Sequence, residues 1–243
     1  MAMNSRISQV KAALRNHVLQ HHLETGARLP SEGEMAKTLG VSRNTLREAY
    51  VALENEGFII RRHGIGTFVA RPPRIKDSLN AFASFAEIIR AAGYTPYFNT
   101  LLIKTILAPQ DVCDQMQVHP TDTLVFIKRL VLADSHPAIY INDYFSPEVQ
   151  ACNPDWDAFD GNVVQFLSKT LDTPLYQLHS RIRAVSLSGE VTAMLQQPAG
   201  TAAIGVLSTI YTIKHTPVTF SKLWFNSNII ELETVRILHK TTG

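Results

Sequence analysis

Residues 29–69 read LPSEGEMAKTLGVSRNTLREAYVALENEGFIIRRHGIGTFV, and the fold of the first third of the chain follows from them. Ser31 and Glu34 have the spacing of a capping box. In that motif the serine oxygen takes an orphan helix amide and the glutamate reaches back, so a helix is predicted to start there. Met35, Ala36 and Leu39 give that helix one apolar face. Gly40 suits its end, because a residue without Cβ enters the left-handed region at little cost, and Ser42 is placed to cap a second helix. Helix, short glycine turn and helix together predict a helix-turn-helix. Beyond Gly57, Phe58–Arg62 and Thr67–Val69 flank the glycine turn His63-Gly64-Ile65-Gly66, the pattern of a hairpin wing.

On the second helix Leu46, Ala49, Tyr50 and Leu53 recur at helical spacing and point inward, which leaves Arg43, Asn44, Thr45 and Arg47 free at its N-terminal end. Those side chains suit double-stranded DNA. Arginine forks onto guanine O6 and N7, asparagine onto adenine, and threonine meets a thymine methyl or a phosphate. Upstream, Ile7, Val10, Leu14 and Val18 mark an amphipathic first helix ending near Gly26, which would complete a three-helix core.

The segments Leu29–Glu32, Leu39–Arg43, Thr45–Arg47 and Gly64–Val69 resemble the winged helix-turn-helix of the GntR family of bacterial transcription regulators. The resemblance covers roughly the first 70 residues. It implies operator contacts by Arg43, Asn44, Thr45 and Arg47 on the recognition helix and by His63 and Gly64 in the wing. One position departs: Gly33 stands where a DNA-contacting arginine is frequent.

Charge agrees with this polarity. Residues 1–71 hold ten Lys and Arg against six Asp and Glu, whereas 72–243 hold thirteen against fifteen, so the basic end is the nucleic-acid end. A chain of 243 residues suggests one or two domains, and 45% hydrophobic content is enough to build their cores. Its apolar runs break within about ten residues, too short for a bilayer crossing, so no membrane partner and a cytoplasmic location are expected. Cys113 and Cys152 show no partner pattern and read as buried apolar fillers. His17 and His21 lie one helical turn apart, but with no third ligand nearby no metal is expected, and no cofactor motif or catalytic constellation is visible.

At Arg71-Pro72-Pro73-Arg74 the composition changes to that of a semi-rigid connector. This sets the expected boundaries: a DNA-binding domain over 1–70, a linker over 71–78 and a second domain over 79–243. In the second domain helical patterns at 79–92, 109–117, 162–171 and 189–195 interrupt strand patterns at 98–107, 123–133, 138–145, 175–187, 202–213, 217–225 and 229–238. A predominantly antiparallel sheet carrying helices makes the chain α+β.

This order, with Gly93-Tyr94-Thr95-Pro96, Arg129–Asp134 and the late Pro217-Val218 hairpin, is similar to the effector domain of the HutC subfamily of GntR regulators, called UTRA, which shares its fold with chorismate lyase. The resemblance implies a homodimer with a small anionic metabolite bound in a pocket of the sheet, its anionic group held by Ser84 and Arg129. Arginine offers such an anion a planar fork and serine a neutral donor. Arg181 and Arg183 share one face of their strand and are further candidates for the effector, alongside a solvated or dimer-seam role. Val131, Ile141 and Thr219 replace pocket residues of amino-sugar-sensing members. The segments around Asp143, Arg181–Ala184 and Leu223–Phe225 look more like regulators of phosphonate utilisation. The expected function is a repressor of a catabolic or uptake operon released by a phosphonate, sulfonate or sugar phosphate. The alternatives are a chorismate-lyase-like enzyme and a ligand-independent architectural DNA binder.

Overall fold

A computed structural model of the chain describes residues 2–21, 23, 25–62, 64–70, 75–78 and 83–234. The fold divides into two compact units, one comprising residues 1–75, 91–94 and 134–136 and the other the remainder.

The first unit carries α1 (Ala2–Gln20), α2 (Glu32–Thr38), α3 (Arg43–Asn55), β1 (Ile59–Arg62) and β2 (Gly66–Val69). The local signals act as their chemistry requires. The Ser31 backbone N–H donates to Glu34 Oε2 at 2.9 Å while the Glu34 N–H donates to Ser31 Oγ at 3.3 Å, closing the capping box of α2. These bonds to Ser31 hold the Glu34 carboxyl below the usual range. At the other end Gly40, at φ +64°, lets the Val41 N–H reach back to the Ala36 carbonyl at 3.0 Å, so α2 stops and the chain turns into α3. Ser42 caps α3 by accepting the Thr45 N–H at 3.1 Å. Val10, Leu14 and Val18 of α1 close over Met35 and Ala36 of α2, Leu46, Ala49, Tyr50 and Leu53 of α3, and Phe58 and Val69 of the hairpin. Burial, followed by the nearby Glu32 charge, pushes the Tyr50 phenol up to about 12, so it is uncharged in this core.

Apart from the terminal residues Ile75, Ala91 and His136, the second unit contains β3 (Ile75–Ser78), α4 (Phe85–Ala91), β4 (Pro96–Leu107), α5 (Gln110–Met116), β5 (Thr123–Ala133), β6 (His136–Phe145), α6 (Pro147–Ala151), α7 (Val163–Thr170), β7 (Leu175–Ser186), α8 (Glu190–Met194), β8 (Ala202–Thr212), β9 (Pro217–Phe225) and β10 (Ile230–Glu233). Six strands form one sheet in the order β4-β5-β6-β9-β8-β7, and β3 pairs with β10 in a small separate sheet. The whole is α+β, as expected. Both faces of the central strands are covered. On one face α6 and α7 pack Val149, Leu167 and Phe166 against Val125, Ile127 and Phe145. On the other, α5 packs Val112, Cys113 and Met116 against Leu124, Phe126, Tyr144 and Phe220, and Leu195, just after α8, joins Tyr140, Trp224 and Ala203. A strand buried on both sides reads as a continuous apolar run, which explains why β5 shows so little alternation.

Several expectations change. Residues 75–78, assigned to the linker, form a strand, while 71–74 lie outside the described residues. The helix expected over 79–92 is described from Phe85, since 79–82 fall outside, and the last strand ends at Glu233, with 235–243 outside. Helix α6, started by Ser146 and Pro147, was not anticipated. Cys113 is buried as expected, but Cys152 is exposed: it follows α6 at the C-cap, where the chain leaves the core.

Leu46 is fully buried where the three helices meet. Leu46→Ala should lower stability by about 2–5 kcal/mol, read as a fall in the urea midpoint of the full chain at unchanged slope.

Candidate DNA-binding surface and effector pocket

The N-terminal turns of α3 display Arg43, Asn44 and Arg47 to solvent while Leu46, Ala49, Tyr50 and Leu53 lie buried behind them. Thr45 is half-buried and its hydroxyl lies 2.8 Å from Ser42 Oγ, so it is partly committed to the cap. The arginines are not free rotors. Arg47 Nε donates to Glu32 Oε2 at 2.8 Å, and Arg61 Nη2 of the wing donates to Glu32 Oε1 at 3.2 Å. Glu54 adds a second tie between α3 and the wing by accepting the Arg61 backbone N–H at 3.0 Å. One carboxylate at the start of α2 thus bridges the recognition helix and the wing. The wing is the antiparallel pair β1–β2, in register Ile59↔Val69 to Arg62↔Gly66. Gly64 sits in its turn with φ +71°, and His63 lies outside the described residues.

Gly33 has a steric role beside Arg43. A Cβ there would lie 3.2 Å from Arg43 Nη2, so the guanidinium rests over bare backbone. The arginine missing at position 33 therefore leaves room that Arg43 occupies.

The second unit contains a cavity of about 140 Å³ against the α7 face of the sheet. Its floor is set by strand register. Ser180 pairs with Ser208, Ser208 with Ser221 and Ser221 with Asp143, so one polar row crosses β7, β8, β9 and β6. The row on one side is Ile182, Val206, Leu223 and Ile141; on the other it includes Leu178 and Ile210. Because side chains alternate across a strand, these three rows share one face. Arg129 of β5 extends the polar row: its Nε donates to Asp143 Oδ2 at 2.6 Å and its Nη1 to the Gly161 carbonyl at 2.7 Å. Ser221 Oγ donates to the other Asp143 oxygen at 2.5 Å, and Ser180 and Ser208 Oγ lie 3.0 Å apart. The Arg129 guanidinium also stands 5.0 Å from the centre of the Phe159 ring. Arg129 and Asp143 are almost wholly buried, so each charge depends on the other.

The structure gathers some expected effector residues and separates others. Ser84 and Arg129 both line the cavity. Ser84 is also the cap of α4: its hydroxyl donates to Glu87 Oε2 at 2.8 Å and accepts the Glu87 N–H at 3.3 Å, leaving little donor capacity for a ligand. Arg181 and Arg183 do not line it. Leu178, Ser180 and Ile182 take the pocket face of β7, so the intervening arginines face the other side, where Arg181 donates to Gln115 of α5. The cavity thus does not bring them together with Ser84 and Arg129. Sequence reading missed Asp143 as the partner of Arg129, the three serines and Glu32. The serines were marked only by polar residues at alternate positions of apolar strands, a signal that gains meaning once register aligns them.

Elsewhere, the His17 and His21 rings lie 4.4 Å apart, tilted by 51°, and burial followed by the His21 charge lowers the His17 pKa. Among the described residues no three His, Cys, Asp or Glu side chains cluster as metal ligands would, and no helix is long and apolar enough to cross a membrane.

Comparison with known proteins agrees with this two-part architecture. Residues 6–69 match the sequence profile of "Bacterial regulatory proteins, gntR family", and residues 91–231 match that of the UTRA domain. The chain is 29% identical over 208 residues to the HTH-type transcriptional regulator Rv0792c of Mycobacterium tuberculosis, covering 84% of this chain and 76% of that protein. It is 24% identical over 203 residues to the HTH-type transcriptional repressor NagR of Bacillus subtilis, covering 84% and 83%. The crystal structure of PhnF from Mycobacterium smegmatis superposes with a TM-score of 0.63 at 18% identity, over 95% of this chain and all of that one, and shares its fold. Such relatives are named as regulators of transcription, and the chain is a regulator rather than an enzyme. With a DNA-binding winged helix-turn-helix in front and the UTRA match spanning more than half its length, the chain belongs to the GntR family of bacterial regulatory proteins, in the group that carries a UTRA effector domain.

Proposed function

We propose that this regulator is a homodimeric repressor of a catabolic or uptake operon, released from its operator when a small metabolite enters the cavity against the sheet. The observation that carries the DNA-binding half is the exposed set Arg43, Asn44 and Arg47 on a capped helix, tied by Glu32 to a wing bearing Arg61 and Arg62. Two such helices related by a two-fold axis read a pseudo-palindromic operator in adjacent turns of the major groove. Repression is supported by the likeness to NagR, a transcriptional repressor by name, and a cytoplasmic location by the need to reach the operator.

Release needs only that the metabolite bind better to a dimer arrangement unable to engage both half-sites; operator affinity then falls by that difference and by no more. The family resemblance implies an anionic effector, a phosphonate, sulfonate or sugar phosphate, for which Arg129 would offer only the N–H groups that Asp143 and Gly161 leave free.

Arg43→Ala should weaken operator binding by roughly 1–3 kcal/mol and relax the preference at one base pair of each half-site. Selection of binding sites from random duplexes, followed by titration at fixed salt, measures both. An unchanged preference would restrict Arg43 to phosphate contact. Glu32→Gln, which unties Arg47 and Arg61 together, should lower the ratio of specific to non-specific affinity two- to fivefold, the scale of an exposed ion pair at ~0.4–1 kcal/mol. A ratio equal to wild type would show that the arginines hold their places without it.

A further inference from the structure

We propose that the effector is a compact, mainly apolar molecule with one uncharged head group that both donates and accepts hydrogen bonds, such as an alcohol or amide, and not a phosphorylated or phosphonate anion. This rests on the cavity being the effector site and names the class of molecule that fits it.

Charge comes first. The guanidinium that would greet an anion is already neutralised: Arg129 holds Asp143 at 2.6 Å, and both are buried. A dianion entering beside this pair would face the Asp143 carboxylate, opposed by the residual N–H groups of Arg129 and the first turn of α7 at Asn162–Val164, in surroundings where water screens little. An uncharged head leaves the balance untouched.

The second argument is the direction of the hydrogen bonds. The Ser221 proton is given to Asp143 Oδ1, so toward the cavity Ser221 presents an acceptor. Ser208, its neighbour in the row, is paired with Ser180, and a hydroxyl pair can give one proton and take another. A ligand bridging Ser221 and Ser208 must therefore donate to the first, which a phosphonate dianion cannot do. A hydroxyl or amide does so while accepting from the second.

Size and walls complete the case. The polar row is bordered by Leu178, Ile182, Val206, Ile210, Leu223 and Phe225. The space of about 140 Å³ is close to the ~150 Å³ cavity that takes up benzene, and well below the ~300 Å³ at which drug-sized ligands begin. A body of one ring or a short branched chain fills it.

The test is saturation-transfer NMR and calorimetry on the full chain with three probes sharing one ring: benzyl alcohol, benzoate and phenylphosphonate at millimolar concentration. The expected order is benzyl alcohol tightest, benzoate at least tenfold weaker and phenylphosphonate silent. Ser221→Ala, which keeps the ion pair, should weaken benzyl alcohol about tenfold. Asp143→Asn should admit phenylphosphonate. Should that variant fail to fold, the wild-type order and Ser221→Ala still decide. Phenylphosphonate as the tightest probe, or silence of all three, would overturn the proposed class. Val206→Trp, which fills the cavity, separates this from the underlying reading. If it abolishes binding while the phosphonate ranks first, the pocket stands and the class falls. If binding survives the filling, the pocket itself is misassigned and the class falls with it.

Discussion

The ion pair between Arg129 and Asp143 is the constraint on which the effector domain depends. Two charges buried in the middle of a sheet are tolerable only when each satisfies the other and the remaining polar atoms find partners. Ser221 and the Gly161 carbonyl supply those partners, which commits β9 and the approach to α7 to particular positions. Register does the rest. Once Ser221 stands opposite Asp143, the pairing of β9 with β8 and of β8 with β7 aligns Ser208 and Ser180 with it. The apolar rows on either side then have no freedom, because a one-residue slip would turn every side chain to the opposite face. The cavity is where α7 and its approach cover this face incompletely, so its polarity is a consequence of how the sheet keeps its charges paired.

The DNA-binding unit solves a related problem at the surface. Three short helices leave many terminal amides and carbonyls to satisfy, and the serine caps and the turn at Gly40 satisfy them locally. With the backbone thus fixed, Glu32 needs only two arginine contacts to tie the recognition helix to the wing. Neither contact contributes much stability, since exposed ion pairs are weak. Their effect is to narrow the orientations that Arg47 and Arg61 sample.

What the sequence disclosed, and what it withheld, follows from the range of the interactions. Capping boxes, glycine stops and helical periodicity act within four residues, so α2, α3 and the inward face of the recognition helix are legible from the chain alone. Strand β5 is legible from its β-branched run. The role of Arg129 is not, because it is fixed by Asp143 fourteen residues away and Gly161 thirty-two away. Reading the arginine without its partner suggests an anion site; reading both suggests a neutral one. Arg181 and Arg183 show the same limit. Alternation places them together on one face, but which face carries the cavity depends on β8 and β9. Ser84 carries a local signal of its own, since the capping role that engages its hydroxyl can be read from Ser84 followed by Glu87.

A pocket whose polar groups are already paired has a bearing on how such a regulator can rest. An unpaired buried arginine would be costly and would draw in any available anion, whereas here Arg129 and Asp143 satisfy each other. A ligand of the proposed class gains its free energy mainly from apolar contact, at about 25 cal/mol per Å² removed from water. That term grows with how completely the walls close around it. Leu178 and Ile182, on the edge strand β7, are each 43% exposed, so the wall they form is the one with most still to gain from closure. A ligand that binds more tightly when this wall closes favours the closed arrangement by the same increment, about tenfold for each 1.4 kcal/mol. The device needs no new charge to appear or vanish, only a difference in buried apolar area between two arrangements of one edge.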